Sequence, residues 1–331
     1  MELIRNIRIR HFKSLEDVRI EGCRRYNLFV GRPNVGKSNL LEALGLLSLP
    51  FLMRGKERSL RSLVRAEHIG ELFFDGNTAE PIMVDCGREG GSVTLSSIPN
   101  DGAAITLAQG DGTLTYGLST GMEVEETNTI TKTKTPDVKV LSYKLEAGVT
   151  RQSQGSTQLL PPAGANLMEV VRQLPQLKDE ISSSLASYGL KMVFDGVSHE
   201  LKAMKQKSDD IFLIPFASMA DSLQRMIFFK AAIQSNHGKA ICLEEPEAHT
   251  FPPYIASVMQ DVIDAGDNQY FISTHSPYVT NCLLEEVPDD LAIWFVNMVD
   301  GATTVRRATD EELREIVRYG VDLFFNMETY L

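Results

Sequence analysis

The sequence predicts an α/β fold with a mixed, mainly parallel sheet built around a phosphate-binding loop. The first observation behind this prediction is a short apolar run at residues 26–30. It leads into a glycine-containing loop at 31–38 and then into a leucine-rich helical pattern. The second is an alternation of helical and extended patterns in the C-terminal half, which is typical of parallel sheets. These are helix 221–234, strand 239–243, helix 253–264, strand 269–272 and strand 291–297.

The loop reads Gly31-Arg32-Pro33-Asn34-Val35-Gly36-Lys37-Ser38 and matches the phosphate-binding pattern G-x-x-x-x-G-K-[ST] in full. Its glycines let the backbone N–H groups point at phosphate oxygens, and the helix that follows presents its positive end to the same anion. Lys37 supplies a positive charge, and Ser38 supplies an oxygen for Mg²⁺. We therefore expect a nucleoside triphosphate site at this loop.

The region 76–157 differs in composition from its surroundings. Gly, Ser and Thr are frequent, and short alternating runs such as 92–95 and 138–141 are separated by Gly-rich turns. This pattern predicts an inserted antiparallel β subdomain. Helical patterns resume near Asn166 and continue past Leu190, and no heptad repeat is sustained, so a long coiled coil is not expected.

Composition and charge limit the function classes. The chain has 331 residues, of which 43% are apolar, and a net charge of −11, whereas a tight stand-alone DNA binder usually carries a basic excess. No segment has the length of a membrane span, and a cytoplasmic globular protein is expected. The cysteines are scattered, which disfavours a zinc site or a disulfide framework. They are Cys23, Cys86, Cys242 and Cys282.

Two adjacent acids end a predicted buried strand in Ala240-Ile241-Cys242-Leu243-Glu244-Glu245-Pro246. Successive strand residues point in opposite directions, so the two carboxylates can serve different roles. Glu244 would face Mg²⁺, and Glu245 would orient and deprotonate an attacking water. The alternative is a solvated acidic loop, but a phosphate loop in the same chain makes an acid-tipped strand expected.

A second predicted strand ends in Phe271-Ile272-Ser273-Thr274-His275-Ser276-Pro277. His275 could sense the terminal phosphate by hydrogen bonding to the attacking water. The alternative is a capping or core histidine, which is the commoner fate of a lone histidine.

These motifs resemble those of the ABC-like ATPases of the SMC, RecF and OLD group, most closely its OLD/AAA-like branch. The resemblance rests on Lys37-Ser38-Asn39-Leu40-Leu41-Glu42-Ala43-Leu44, Glu244-Glu245-Pro246-Glu247-Ala248-His249, Ser273-Thr274-His275-Ser276-Pro277 and Phe12-Lys13-Ser14. It implies a single ABC-type ATPase head over residues 1–331. That head would have a mixed central sheet, the β subdomain, and a helical lobe at 166–235 that carries a signature loop.

The resemblance also implies ATP and Mg²⁺ as ligands and a site that two heads complete together. Glu244 would be the Walker B acid, one methylene longer than the usual aspartate. Glu245 would be the catalytic glutamate and His275 the switch histidine. Nucleotide contacts are implied for residues 31–39, including Asn39, for Lys13, and for Arg65, which matches a nucleotide-contacting arginine of the family.

Two features depart from the family pattern or lack a clear match. The stretch that matches the signature loop contains Ser218, Ala220, Asp221 and Ser222 but no glycine, so the residue type that allows close backbone approach to a phosphate is missing. The Q-loop glutamine has three equal candidates, which are Gln152, Gln154 and Gln158.

Arg65 belongs to a row of arginines at helical spacing, which also contains Arg54, Arg58 and Arg61. Such a row is often a solvated basic face. Contact with nucleotide or with DNA phosphates is the alternative.

The sequence leaves three functional hypotheses open. The first is ATP-driven dimerisation of heads that gates a separate effector protein, in the setting of phage defence or DNA repair that the resemblance suggests. The second is a non-hydrolysing ATP-gated scaffold that binds an effector protein, favoured by the missing glycine and opposed by Glu245 and His275. The third is a small-molecule kinase, for which no acceptor pocket is evident. A GTPase is disfavoured because neither NKxD nor DxxG occurs, and the residues after 297 are too few for the Toprim nuclease domain of OLD proteins.

Overall fold

The computed structural model describes residues 2–55, 58–127, 137–146, 155–320 and 322–330. The chain divides into two compact units. The first unit comprises Met1–Ser142, Gly238–Glu245 and Asp267–Leu331, and the second comprises Tyr143–His237 and Pro246–Gly266. No helix in the described ranges is long and apolar enough to cross a bilayer.

The strands, in chain order, are β1 (Asn6–Phe12), β2 (Leu15–Glu21), β3 (Tyr26–Val30), β4 (Ile82–Asp85), β5 (Ser92–Ile98), β6 (Gly102–Gln109), β7 (Gly112–Leu118), β8 (Val124–Glu126), β9 (Val140–Tyr143), β10 (Lys191–Asp195), β11 (Glu200–Lys207), β12 (Asp210–Pro215), β13 (Ala240–Glu244), β14 (Gln269–Ser273), β15 (Leu291–Val299) and β16 (Ala302–Arg307). The helices are α1 (Lys37–Gly45), α2 (Leu49–Leu52), α3 (Gly87–Gly90), α4 (Leu167–Gln173), α5 (Pro175–Ala186), α6 (Asp221–Gln234), α7 (Pro252–Asp264), α8 (Pro277–Glu286) and α9 (Asp310–Tyr319).

The six-stranded sheet positions the candidate site. Its strand order is β16-β15-β3-β14-β13-β9, and β3 runs parallel to both β14 and β15. All five residues of β3 are buried, as expected for a central strand of a parallel sheet. Its polar member, Asn27, donates to the carbonyl oxygens of Arg24 and Tyr270 at 2.7 and 3.1 Å, so burying it leaves no amide unpaired.

Because β3, β13 and β14 run parallel, their carboxyl ends meet at one edge of this sheet. The phosphate loop follows β3, Glu244 ends β13 with Glu245 directly after it, and His275 follows β14. Ligands of open α/β sheets bind outside this edge.

The second sheet of the first unit has seven antiparallel strands in the order β2-β1-β4-β5-β6-β7-β8. Its buried side contributes alternate residues to the hydrophobic core, as the burial of Ile82 and Val84 in β4 illustrates. The structure therefore differs from the predicted insertion at 76–157 in two ways. Its strands extend a sheet that β1 and β2 begin, and the run at 138–141 contributes β9 to the six-stranded sheet instead.

The second unit contains α4, α5, α6 and α7 together with a three-stranded antiparallel sheet of order β10-β11-β12. Helix α6 packs on α7, and α5 lies against α6. The segment 166–235 was predicted to be a helical lobe, with helices that continue past Leu190. In the structure α5 ends at Ala186, and a β sheet occupies residues 191–215.

Candidate nucleotide site

The phosphate loop has the backbone geometry that its sequence requires. Gly36 has φ 98° and Asn34 has φ 62°, both in the left-handed region, and α1 begins at the next residue after Gly36. A Cβ atom on Gly31 would overlap the Val296 carbonyl oxygen, so only glycine fits the start of the loop. The loop thus connects the end of β3 to the start of α1, and the positive end of the helix faces it.

The hydroxyl groups of Thr303 and Ser14 form hydrogen bonds with the phosphate loop and with the first turn of α1. Thr303 Oγ1 donates to the carbonyl oxygen of Val35 at 2.9 Å and lies 2.7 Å from Ser14 Oγ, which also accepts from the Asn39 amide at 2.7 Å. A Cβ atom on Gly36 would overlap the Thr303 hydroxyl. Sequence reasoning did not find Thr303, because it lies on β16, far from the loop in sequence.

The Lys37 side chain is folded back onto the loop. Its ammonium group is buried and donates to the carbonyl oxygens of Gly31 and Arg32 at 2.9 and 2.8 Å. Both acceptors are neutral carbonyl oxygens. The group is therefore placed where a phosphate oxygen would gain a charge-assisted hydrogen bond.

The candidate catalytic pair lies at the carboxyl ends of two neighbouring strands. Glu244 at the end of β13 is paired in register with Ser273 of β14, and Glu245 Oε1 lies 3.5 Å from His275 Nε2. Glu245 has φ 41°, and its N–H donates to the Ser273 carbonyl oxygen at 3.0 Å. A non-glycine residue in this conformation is strained, and such strain is concentrated at functional sites.

His275 is electrostatically biased toward its neutral form. Burial is the main cause that lowers its pKa below the usual value, and the nearby positive charge of Lys37 lowers it further. The Glu245 carboxylate acts in the opposite direction and does not cancel these effects. A neutral imidazole beside a carboxylate can hydrogen bond to a water without adding a positive charge.

The residues at this edge fit a magnesium ion. Ser38 lies in the first turn of α1, Glu244 is the last residue of β13, and hydroxyl and carboxylate oxygens suit this ion. The buried Ser273 Oγ, on the strand next to Glu244, has no hydrogen-bond partner among the described residues. No cluster of three or more His, Cys, Asp or Glu that could hold a metal ion is found in the described ranges.

Arg65 and Lys13, the two residues outside the phosphate loop for which nucleotide contact was predicted, lie near Glu244 and α1. Arg65 Nη2 donates to Glu244 Oε2 at 2.7 Å. Lys13 forms an ion pair with Glu42 of α1 and donates to the Arg65 carbonyl oxygen at 2.9 Å. Sequence reasoning had given Glu42 no role beyond the motif that contains it.

The other arginines of the predicted basic row do not share a helix with Arg65. Residues 53–55 and 58–59 are turns or extended chain rather than helix. The Arg54 guanidinium lies over the Phe51 ring, and Arg61 donates to the carbonyl oxygens of Gly121 and Glu67. The helical spacing of the arginines is therefore not a shared face, and a continuous DNA-contacting stripe has no structural basis here.

The C-terminal segment lies beside the phosphate loop, which the sequence did not reveal. A cavity of about 600 Å³ is lined by residues 31–33, His275 and residues 324–329. Arg32 forms an ion pair with Glu328, and the rings of Phe324 and His275 have centroids 6.5 Å apart. The Arg32 side chain is thus directed toward the C-terminal segment.

The signature-loop candidates lie in the second unit at the start of α6. Ser218 ends a short 3₁₀ helix, and Ala220 directly precedes Asp221, the first residue of α6. The Ser222 hydroxyl donates to the His249 carbonyl oxygen at 2.8 Å and accepts from the Phe251 N–H at 3.2 Å. The loop is therefore tied to the chain that follows the Glu244-Glu245 pair.

Of the Q-loop candidates, Gln152 and Gln154 lie outside the described residues. Gln158 donates to the Asn236 side chain at 2.7 Å within the second unit. That contact gives Gln158 a structural partner and does not link it to a nucleotide.

No protein-family model matches the chain. An ATP/GTP phosphatase of Helicobacter pylori is 21% identical over 320 residues, covering 83% of this chain and 85% of that protein. Among solved structures, an SMC head bound to the C-terminal winged-helix domain of ScpA has a TM-score of 0.53 at 15% identity, with 93% of this chain and 98% of that chain covered.

An SMC head with an extended coiled coil, bound to the C-terminal domain of ScpA and derived from Pyrococcus furiosus, has a TM-score of 0.50 at 13% identity. It covers 95% of this chain and 98% of the other. The fold is therefore that of the SMC head domains, and the resemblance seen in the sequence is confirmed at the level of fold.

Proposed function

We propose that this chain binds Mg-ATP and hydrolyses it. The observation that carries the proposal is the convergence of a complete phosphate loop with Glu245 and His275, whose side chains lie 3.5 Å apart. General-base hydrolysis needs a carboxylate placed beside the terminal phosphate, and a neighbouring group that holds the water. These groups stand at adjoining strand ends of one sheet.

In the proposed reaction the loop amides and Lys37 bind the phosphates. The Lys37 ammonium turns from the carbonyl oxygens of Gly31 and Arg32 to phosphate oxygens. Ser38 and Glu244 would hold Mg²⁺, which supplies charge neutralisation on the phosphates. Glu245 accepts a proton from the attacking water, and neutral His275 holds that water by a hydrogen bond.

The relative from Helicobacter pylori supports a nucleotide-hydrolysing activity through its name, which covers both ATP and GTP. We propose ATP as the substrate here because the sequence contains no NKxD motif to read guanine. Competition of unlabelled ATP and GTP for a fluorescent ATP analogue tests this choice. A higher affinity for GTP would reverse it.

The proposal extends to assembly. Two heads would close around the nucleotide, and the Ser218–Ser222 region of one would complete the site of the other. The two solved SMC heads were bound to parts of ScpA, which supports a partner protein for this fold. A separate effector in phage defence or DNA repair is proposed on the sequence resemblance alone.

Phosphate release under steady-state conditions tests the hydrolysis. The wild-type chain should turn over ATP, and Glu245→Gln should lower the rate about 10²–10⁴-fold, because the change removes the general base and keeps its shape. Lys37→Ala should lose both binding and turnover. Equal rates in the wild type and in Glu245→Gln would show that Glu245 is not the base.

A non-hydrolysing ATP-gated scaffold is the second candidate, favoured by a specific observation. The signature region has no glycine, and the side chains of Ser222 and Gln224 are hydrogen bonded within the second unit. In that case the wild-type chain would bind ATP in calorimetry and release no phosphate above the level of Glu245→Gln.

A further inference from the structure

Four charged side chains form a continuous row from the N-terminal strands to the end of β13. Glu42 pairs with Lys13, and Arg65 Nε lies 3.8 Å from Glu42 Oε1. The same arginine donates from Nη2 to Glu244 Oε2 at 2.7 Å. Arg65 therefore lies between two carboxylates, one on α1 and one at the strand end that would face a metal ion.

Glu42 is suited to hold this arginine. Its side chain is only 7% exposed, and a buried carboxylate is costly unless it is paired with a cation. Glu42 follows Ser38 by four residues on α1, so the two side chains lie on the same side of the helix. The acid is thus placed one turn behind the proposed metal-binding hydroxyl.

Lys13 fixes the backbone of the arginine from the other side. Its ammonium group donates to the Arg65 carbonyl oxygen at 2.9 Å, and its own N–H donates to the Leu72 carbonyl oxygen at 2.9 Å. Arg65 is held at its main chain by Lys13 and approached at its side chain by Glu42. The guanidinium, about half exposed, can therefore shift locally without leaving the site.

We propose that Arg65 is a positioning residue that occupies Glu244 before the metal arrives and yields that carboxylate to Mg²⁺ when Mg-nucleotide binds. Glu42 retains the displaced guanidinium beside the site. The inference rests on the proposed function, since it assumes that Glu244 faces Mg²⁺. A carboxylate at a largely enclosed strand end gains from a neutralising cation, and a hydrogen-bonded guanidinium and a metal ion compete for the same oxygen.

This exchange predicts how nucleotide binding depends on the Mg²⁺ concentration. Arg65 and Mg²⁺ compete for Glu244, so removing the guanidinium lowers the Mg²⁺ concentration needed for tight nucleotide binding. Removing Glu42 has the opposite effect, because Arg65 then has Glu244 as its remaining carboxylate partner in this row. If either residue had only a structural role, its removal would change the stability of the fold and leave the Mg²⁺ dependence of nucleotide binding unchanged.

The test is an equilibrium titration of a fluorescent ATP analogue at a series of Mg²⁺ concentrations, with a further series in EDTA. For Arg65→Ala the Mg²⁺ midpoint should fall about two- to fivefold, the range expected for a partly exposed ion pair. For Glu42→Gln the midpoint should rise. The double variant should behave like Arg65→Ala, because Glu42 acts through the arginine.

Arg61→Ala is the matched control. Arg61 is four residues away and bonds to the carbonyl oxygens of Gly121 and Glu67, so its removal should leave the Mg²⁺ midpoint unchanged. Arg65→Gln provides a second variant of similar size, and thermal melting of each variant verifies folding.

The outcomes separate this inference from the proposed function. A wild-type chain that binds no ATP in either series would overturn both. A wild-type chain that binds ATP, with an Arg65→Ala midpoint that is unchanged or higher, would overturn the exchange alone.

Discussion

The backbone conformation of Glu245 sets the position of its side chain relative to His275. The N–H of Glu245 is fixed to the Ser273 carbonyl oxygen, and its φ of 41° turns the side chain out of the strand direction. Strain of this kind costs of order 1–3 kcal/mol and persists only where surrounding contacts enforce it. The geometry thus directs one carboxylate toward the histidine, while its neighbour Glu244 faces Arg65.

The lowered pKa of His275 predicts how hydrolysis depends on pH. The folded chain binds a proton at His275 less readily than an ordinary imidazole of pKa 6.5 does. The neutral form of His275 therefore persists in the folded chain below pH 6.5. The stability that this lowered pKa contributes to the fold is lost as the pH falls from 6.5 through the lowered pKa. Phosphate release measured from about pH 5 to about pH 8 should show an acid limb with a midpoint below 6.5.

His275→Gln is the variant that checks this assignment. It retains an amide that can hydrogen bond to water but cannot titrate, so the limb that His275 causes should disappear. An acid limb at or above the ordinary imidazole value in the wild type, or the same limb in His275→Gln, would contradict the prediction.

At the residue level, the sequence could predict candidate site residues where they form motifs of consecutive residues. Gly31 to Ser38 and the Glu244-Glu245 pair each stand at a strand end that the local pattern reveals. Thr303, Glu42 and Ser273 were assigned no role, because their roles depend on packing between segments distant in sequence. Thr303 lies 268 residues from its acceptor Val35, and no local pattern encodes that distance.

At the scale of elements, the predicted bounds were most accurate for two helices of the second unit. Helix α6 spans Asp221–Gln234, as predicted, and α7 begins one residue before its predicted start. The strands β10 to β12 were missed. Ile211, Phe212 and Leu213 of β12 are all at least half exposed, so the alternation that marks a half-buried strand is absent.

A buried lysine joins the helices of the second unit and supports a stability prediction. Lys230 of α6 has a side chain 3% exposed and lies 2.7 Å from Asp261 Oδ1 of α7 and 3.0 Å from Glu180 Oε2 of α5. Lys230→Ala should lower the free energy of unfolding by about 3–5 kcal/mol, because it leaves the mostly buried Asp261 carboxylate without its cation. Urea denaturation measures the change.

Two further variants make this prediction specific. Lys178→Ala, on the exposed side of α5, should change the free energy of unfolding by less than about 1 kcal/mol. Replacing Lys230 and Asp261 together, with Lys230→Met and Asp261→Asn, should recover part of the loss, because only the more exposed Glu180 carboxylate then lacks its cation. A loss in Lys230→Ala no larger than that in Lys178→Ala would show that the ion pairs do not hold these helices.

At the scale of the whole molecule, the sequence predicted the parallel strands around the phosphate loop but not the antiparallel sheet order. Strand β4 adds to β1 across a separation of about seventy residues, and β9 joins the other sheet. Both strands are short and apolar, and nothing in such a run indicates which sheet edge it will join. Topology at this level depends on which edges remain unpaired after the local hairpins form.

Glu245→Gln should separate binding from hydrolysis in the assembled molecule and trap an ATP-bound dimer. The variant keeps the phosphate loop, Lys37 and Glu244, so ATP affinity should stay within a few-fold of the wild type. Loss of the general base should slow hydrolysis about 10²–10⁴-fold. If hydrolysis opens the dimer, Mg-ATP should double the molar mass of Glu245→Gln in light scattering, while Lys37→Ala stays monomeric.

Light scattering should be measured at physiological ionic strength, because each copy carries a net charge of −11 and salt screens the resulting repulsion between copies. A Glu245→Gln chain that binds ATP and remains monomeric would show that the glycine-free region around Ser218 and Ser222 does not close on a second head, and that ATP acts within a single copy.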